Sequence, residues 1–103
     1  MTKSVSAWIK ECHSVSREKG FWDKGRNVGE MMMLIVSELG EAVEAHRLGN
    51  FGVAKKDTFE DELADTAIRL FDMCGGLGID LEKQIKWKTA FNRTRERKHG
   101  KAY

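Results

Sequence analysis

The stretch MMMLIVSELGEAVEAH, residues 31–46, joins an apolar run to a segment with a glutamate at every third position from Glu38. At about 100° per residue, one helix face collects the apolar side chains of Val28, Met31, Ile35, Leu39 and Ala42. Glu38 falls in the flank of that face, Glu41 lies one step further round, and Glu44 points to the opposite, polar side. Because a carboxylate buried without a partner is costly, Glu38 requires a cation or a set of hydrogen bonds.

The whole chain of 103 residues is predicted to form one all-α domain, 1–103. It contains no proline and is rich in residues that favour helices. Capping and stop signals predict four helices: from about Ser4 to Lys19, from the Asn27 N-cap to about Leu48, from an N-cap at Thr58 or Asp57 to about Cys74, and from the Asp80 N-cap to Gly100. The segment GGLG supplies the stop signal after the third helix.

Composition excludes several classes of protein. Hydrophobic residues make up 41% and charged residues 33%, a balance typical of a folded domain and not of a disordered chain. The N-terminal segment lacks an apolar signal core, and no apolar run reaches about 18 residues, so neither secretion nor a membrane span is expected. Cys12 and Cys74 form no CxxC pair, which argues against a zinc site, and two free thiols fit a cytoplasmic location.

A second acidic pair follows on the third predicted helix, whose apolar stripe comprises Phe59, Leu63, Leu70, Cys74 and Leu77. Glu62 lies at the edge of this stripe and Asp65 one step further out. Two such pairs on neighbouring helices predict four carboxylates that converge in a groove, and hard oxygen ligands select Mg²⁺, Mn²⁺ or Ca²⁺. A di-iron site would show a Glu-x-x-His motif, whereas Val43 stands three positions before His46.

Two other groups of apolar residues are interpreted by position. Ile68 and Phe71 lie away from the main stripe of the third helix, which predicts a second buried surface, most simply a subunit interface. Trp8 and Trp87 are interpreted as packing residues.

Charge is distributed unevenly along the chain. Residues 1–82 carry an excess of five negative charges, whereas residues 83–103 hold eight lysines and arginines against one glutamate. Within this basic tail, Lys88, Asn92 and Arg95 are spaced to lie near one helix face, and their side chains suit phosphate and sugar oxygens. A solvated basic helix end, favoured by the helix dipole, is the alternative interpretation.

Three segments together resemble the MazG-like family of all-α nucleoside triphosphate pyrophosphohydrolases: SELGEA, EDELADTAIRL and KTAFNRTRERKHGK. The resemblance covers nearly the whole chain and implies a four-helix MazG-like bundle that is completed by a homodimer or homotetramer. It implies that the metal ligands and catalytic residues are Glu38, Glu41, Glu62 and Asp65. It also implies that the triphosphate and sugar are held by Lys88, Asn92 and Arg95, and the base by His13 and Trp22.

The implied function is Mg²⁺-dependent hydrolysis of nucleoside triphosphates, dCTP or another dNTP among them, to the monophosphate and pyrophosphate, with Mn²⁺ as a second usable metal. In this scheme Glu41 orients the attacking water or takes its proton, and Lys88 and Arg95 hold the β- and γ-phosphates. Some relatives carry an aromatic residue where this chain has Leu48, so the resemblance does not select a base. The rival interpretation, a small helical nucleic-acid-binding or adaptor protein, explains the basic tail but not the acidic pairs.

Overall fold

The computed structural model describes residues 2–103, which form four α-helices and no strand. The helices are α1 (Val5–Glu18), α2 (Val28–Arg47), α3 (Phe59–Leu77) and α4 (Leu81–Arg93), and a short 3₁₀ turn follows at Arg97–Gly100. The all-α prediction is therefore confirmed; Met1, where the predicted domain begins, lies outside the described residues. Among those residues, no helix combines the length and the apolar character that a bilayer crossing requires.

Each of the four helices begins at a side-chain cap that the local sequence supplies. The side chains of Ser4, Asn27, Thr58 and Asp80 each accept a hydrogen bond from the backbone N–H three residues further on. Such a cap contributes about 1 kcal/mol because it satisfies an N–H group that has no partner within the helix. Of the two alternatives for α3, Thr58 is the N-cap, and its hydroxyl lies 3.2 Å from the Asp61 nitrogen.

The third helix stops within the GGLG segment as predicted, but it ends three residues after Cys74, because it continues through Gly75 and Gly76 to Leu77. The two glycines permit close packing and do not stop the helix. A Cβ atom on Gly75 would lie 2.6 Å from the His13 Cβ, and one on Gly76 would lie 2.1 Å from the Trp22 ring. The helix ends instead at Gly78, which adopts a left-handed conformation with φ 69°.

The fourth helix ends at Arg93, seven residues before the predicted end at Gly100. The Thr94 hydroxyl donates to the Phe91 carbonyl at 2.6 Å, which gives that carbonyl a partner outside the helical pattern. The residues that follow are strongly basic and offer no apolar face to bury, so continued helix would gain little from packing. Arg95 therefore lies beyond the helix, in a turn where its N–H donates to the Asn92 carbonyl at 3.2 Å.

The helices pack around α3, which contacts α2 on one side and α1 on the other, while α4 makes its main contacts with α1. The buried apolar residues are few: Ile9, Cys12, Met31, Ala42, Ala45, Met73 and Cys74. The predicted stripes are only partly buried, since Val28 and Leu39 of α2 and Leu63 and Leu77 of α3 are exposed. Because α2 has one main helical neighbour within the chain, only a narrow strip of its surface is covered.

Candidate functional site

Three of the four predicted metal ligands come together between α2 and α3. Glu38 and Glu41 lie one turn apart on α2, and Glu62 faces them from α3. Each residue offers a carboxylate oxygen, and these oxygens lie within 4.8 Å of one another. Glu38 and Glu62 are each only 8% exposed, whereas Glu41 and Glu44 are exposed to solvent. The edge of the predicted apolar face is thus the part of α2 that meets α3.

The fourth predicted ligand, Asp65, does not belong to this cluster of oxygens. It is half-buried one turn further along α3, where it lines a cavity together with Glu38. Glu62 is shared with a second set of carboxylates, formed with Asp57 and Asp61, that meets the same 4.8 Å limit. Two carboxylate clusters that share Glu62 therefore lie side by side at the start of α3.

Two buried oxygens of the cluster have no hydrogen-bond partner within residues 2–103. These atoms are Oε2 of Glu38 and Oε2 of Glu62. Leaving a buried carboxylate oxygen unpaired is costly, so such atoms point to a ligand that supplies positive charge. An oxygen-only donor set of this kind fits Mg²⁺, Mn²⁺ or Ca²⁺.

Electrostatics within the cluster disfavour ionisation of most of its members. Burial, with the neighbouring Glu38 and Glu41, raises the pKa of Glu62 to about 7. Proximity to Glu38 raises the pKa of Glu41, and burial together with Glu38 raises that of Asp65. Burial acts in the same direction on Glu38, but the hydrogen bond from Arg69, with contributions from the neighbouring Glu41 and Glu62, outweighs it and lowers the pKa of Glu38. A divalent cation would relieve this mutual repulsion.

A second polar centre forms around Asp72 of α3, which is 8% exposed. Its Oδ1 lies 2.9 Å from His13 Nδ1 and accepts a bond from Trp22 Nε1 at 2.8 Å. Its Oδ2 accepts bonds from Ser16 Oγ at 2.7 Å and from Arg26 at 3.3 Å. The predicted base contacts are thus brought together, with the two rings edge to face at 5.0 Å.

Sequence reasoning overlooked Asp72, although one signal was available. It is a single acidic residue within the apolar run RLFDMC of the third helix, where burial demands hydrogen-bond donors. Its donors come from α1 and from the loop before α2, as far as 59 positions away in the chain. No local spacing rule connects residues so distant in the sequence.

A cavity of about 480 Å³ adjoins the acidic cluster. One part of its wall carries Glu38, Asp65 and Arg69, and another carries Arg26 and Asp72. Lys19 adds a third cation, and the apolar part of the lining comprises Trp8, Val15, Phe21 and Ile68. The cavity thus combines carboxylates, cations and an apolar surface within one space.

The predicted base contacts line a different space. His13 and Trp22 border a second cavity of about 820 Å³, together with Lys10 and Arg17 of α1 and the end of α3. None of the four predicted metal ligands lines this cavity, as far as the described residues go. Asp72 bonds to both of these rings and itself borders the first cavity.

The predicted triphosphate contacts lie apart from both cavities, since Lys88, Asn92 and Arg95 border neither one. The Lys88 amine and the Arg95 guanidinium lie 5.0 and 5.8 Å from the centre of the Phe91 ring. Asn92 is half-buried, and its Oδ1 is without a partner in residues 2–103. Trp87 is not a packing residue as predicted: it is 58% exposed and stacks on Phe91 at 5.5 Å.

Comparison of the chain with family models, with curated proteins and with solved structures finds no match. The resemblance to the MazG-like family therefore depends on the motifs of this chain alone, namely the two acidic pairs and the basic tail.

Proposed function

We propose that this chain is a divalent-cation-dependent hydrolase that converts nucleoside triphosphates to the monophosphate and pyrophosphate. The observation that carries the proposal is the cluster of Glu38, Glu41 and Glu62, with two unpartnered buried oxygens, at the border of a cavity that also holds cations. These residues, with Asp65, would hold Mg²⁺ or Mn²⁺. A phosphate chain is the common ligand that needs both a metal ion and basic side chains.

The size and lining of the first cavity support a nucleotide as the ligand. Its volume of about 480 Å³ falls in the range of small-molecule sites. Lys19, Arg26 and Arg69 offer positive charge to phosphate oxygens, and Trp8 and Phe21 offer apolar surface on which a nucleobase can rest. dCTP or another dNTP fits this combination.

The chemistry of the proposed reaction divides between the bound ion and the chain. A divalent ion, when bound, offsets the charge that develops on the phosphate oxygens and makes a nearby water more acidic. Glu41, which is exposed and does not pair with Arg69, orients the attacking water and accepts its proton. The guanidinium of Arg26, held in place by Asp72, stabilises negative charge on the phosphates.

We propose that the protein works as a homodimer or homotetramer. Its accessible surface is 8116 Å², against about 5,900 Å² for a compact monomer of this mass. Its radius of gyration is 15.9 Å, against about 13 Å for a compact domain of this length. One exposed apolar row on α2 accounts for part of the excess: Val28, Met32, Val36, Leu39 and Val43. The excess area matches what obligate interfaces cover.

Within a single chain, Lys88, Asn92 and Arg95 border neither cavity. We therefore propose that these residues contact the triphosphate only in the assembled protein. His13 and Trp22, which line the other cavity, stay the base contacts predicted from the resemblance and are the alternative to Trp8 and Phe21. A calorimetric titration of Trp22→Ala with a dNMP and a non-hydrolysable dNTP decides their role. Equal losses of affinity for both ligands indicate stacking on the base. Unchanged affinities with a lower melting temperature indicate that Trp22 supports only the fold.

A second candidate function is binding of single-stranded nucleic acid through α4. It is favoured by one observation, the exposed stack of Trp87 and Phe91 with the cations Lys88 and Arg95 beside it. It gives no reason for the buried carboxylates Glu38 and Glu62, so the hydrolase is preferred. The thiols of Cys12 and Cys74, which are free, fit a cytoplasmic site of action for either function.

The deciding experiment is release of pyrophosphate from a panel of NTPs and dNTPs, with Mg²⁺, with Mn²⁺ and with EDTA. The hydrolase predicts release that depends on the metal, at a rate that differs among bases. Absence of release from every nucleotide, with tight binding of an oligonucleotide, would favour the second candidate. Glu38→Gln tests whether any activity belongs to the acidic cluster and not to a contaminating enzyme.

A further inference from the structure

We infer that Arg69 is an internal counter-cation of the acidic cluster, which a divalent cation displaces from Glu38 and which then turns to the phosphates in the first cavity. Arg69 is thus a positioning residue that lowers the affinity of the site for a free metal ion. The first half of this inference needs only the metal site, whereas the second half rests on the proposed function.

Arg69 contacts the carboxylate of Glu38, a member of the acidic cluster. Its Nε donates to Glu38 Oε1 at 3.0 Å, while the other oxygen of Glu38 has no partner within residues 2–103. A metal ion bound at Glu38 would therefore meet a positive charge at one of the two oxygens. Two cations that share one carboxylate repel each other, so the ion and the guanidinium compete for Glu38.

The cluster is otherwise a set of negative groups, and within residues 2–103 Arg69 is the cation that pairs with one of them. Glu41 and Glu62 approach Glu38 without any basic residue of their own in salt-bridge range among the described residues. Asp65 lies one turn before Arg69 on α3, so the guanidinium also lowers the repulsion at that position. Without a metal ion, Arg69 is thus the positive group that offsets the negative charge of Glu38.

The surroundings of Arg69 leave it free to move, unlike the other arginine of the cavity wall. The side chain of Arg69 is 36% exposed and makes no other side-chain hydrogen bond within residues 2–103. The side chain of Arg26 is 16% exposed, and its partner Asp72 is held by three further side chains. Both arginines border the cavity, so a guanidinium released from Glu38 already faces the space that a phosphate would fill.

A different role for Arg69 predicts the opposite result. If Arg69 instead stayed bonded to Glu38 and held it in the geometry that a metal ligand requires, removal of Arg69 would weaken metal binding. If Arg69 is a competitor, its removal strengthens metal binding, because a negative group is freed. The direction of the change in metal affinity therefore separates the two roles.

The test is a calorimetric titration of Mn²⁺ into metal-free protein, without nucleotide. Arg69→Met should bind Mn²⁺ roughly five- to tenfold more tightly than wild type, since it loses one partly exposed charge-assisted pair. Arg69→Lys keeps the charge without the fork geometry and should fall between the two. Arg47→Met is the matched control, because it removes an exposed arginine of α2 that borders neither cavity, and it should match wild type.

A second titration uses a non-hydrolysable dNTP at saturating Mn²⁺. Arg69→Met should bind it roughly tenfold more weakly than wild type, with a much smaller loss for the dNMP. Equal or weaker Mn²⁺ binding by Arg69→Met, in protein that circular dichroism shows to be folded, overturns the counter-cation role. Unchanged dNTP affinity overturns the phosphate contact. A wild-type protein that binds no Mn²⁺ would instead refute the proposed function.

Discussion

The groove between α2 and α3 buries its charged side chains, whereas α4 leaves its own in water. Glu38 and Glu62 are each 8% exposed, and no residue of α4 is buried. The groove is built by two helices that pack on each other, so the chain itself holds these carboxylates close despite their repulsion. The helix α4 has no such support, and its aromatic and basic side chains lie exposed to solvent.

This difference shows which part of the molecule stores electrostatic strain. In the groove, like charges are forced together by packing, and a cation can release that strain. On α4, like charges are spread in solvent, where screening keeps their repulsion small. Changes in the groove should therefore alter chemistry and stability, and changes on α4 should alter affinity alone.

The largest effect is expected for loss of one charge in the groove. Glu38→Gln and Asp65→Asn keep the shape of the side chain and should fold, but each should lower turnover by about 100-fold or more. The measurement is pyrophosphate release at saturating Mg²⁺ and dNTP. Glu44→Gln is the control, because this glutamate is exposed and outside the cluster, and it should be nearly silent. Near wild-type turnover in either groove variant would remove the metal-site assignment.

Next in size is the effect of charges placed on the apolar row of α2. Met32→Lys combined with Val36→Asp should split the oligomer into monomers, because each charge would have to be buried at the interface. Light scattering at micromolar concentration measures the mass. Val53→Asp is the control, since Val53 is 82% exposed and lies in the loop before α3. A wild-type protein that is already monomeric would contradict the proposed assembly.

A smaller effect is expected on α4. Lys88→Ala should weaken binding of all nucleoside triphosphates by about tenfold. The ammonium group of Lys88 would attract the charged phosphates, which all these nucleotides share, and would not distinguish one base from another. Affinity for a monophosphate should change much less, because the β- and γ-phosphates are absent. Lys83→Ala removes an exposed lysine from the first turn of the same helix and serves as the control. Equal losses for monophosphate and triphosphate would place Lys88 elsewhere in the site.

The smallest expected effect is a dependence of stability on pH in the metal-free protein. The pKa of Glu62 rises to about 7 from an ordinary value of 4.5, chiefly through burial. A group with a raised pKa stabilises the fold below its unfolded pKa and loses that contribution as the pH rises through the folded value. The melting temperature in EDTA should therefore fall between pH 4.5 and about 7.

Two controls make this pH dependence specific. Glu62→Gln should flatten the fall in melting temperature, because the titrating group is removed. Addition of Mg²⁺ should raise the melting temperature most at the higher pH, where the carboxylates are ionised and bind the cation best. A melting temperature in EDTA that rises over this range would show that burial and repulsion between the carboxylates do not raise the pKa of Glu62.

The sequence predicted the helices well at their beginnings and less well at their ends. All four N-caps are local, because a cap depends on a side chain and an N–H group three residues away. The end of α3 was predicted three residues too early because Gly75 and Gly76 allow the close approach of His13 and Trp22, and Gly78 is the glycine of GGLG that ends the helix. The end of α4 was wrong because the residues after Arg93 are strongly basic and offer no apolar face to bury, so continued helix would gain little from packing.

What the sequence determined by itself is the set of groups available: two acidic pairs at helical spacing, a basic tail, and helices with one apolar edge. Only the tertiary structure decided how they meet. The packing of α3 on α2 brought Glu62, and not Asp65, into the cluster with Glu38, and set Arg69 against the same carboxylate. Spacing within a helix follows from its 3.6-residue turn, whereas the register between two helices depends on side chains far apart in the chain.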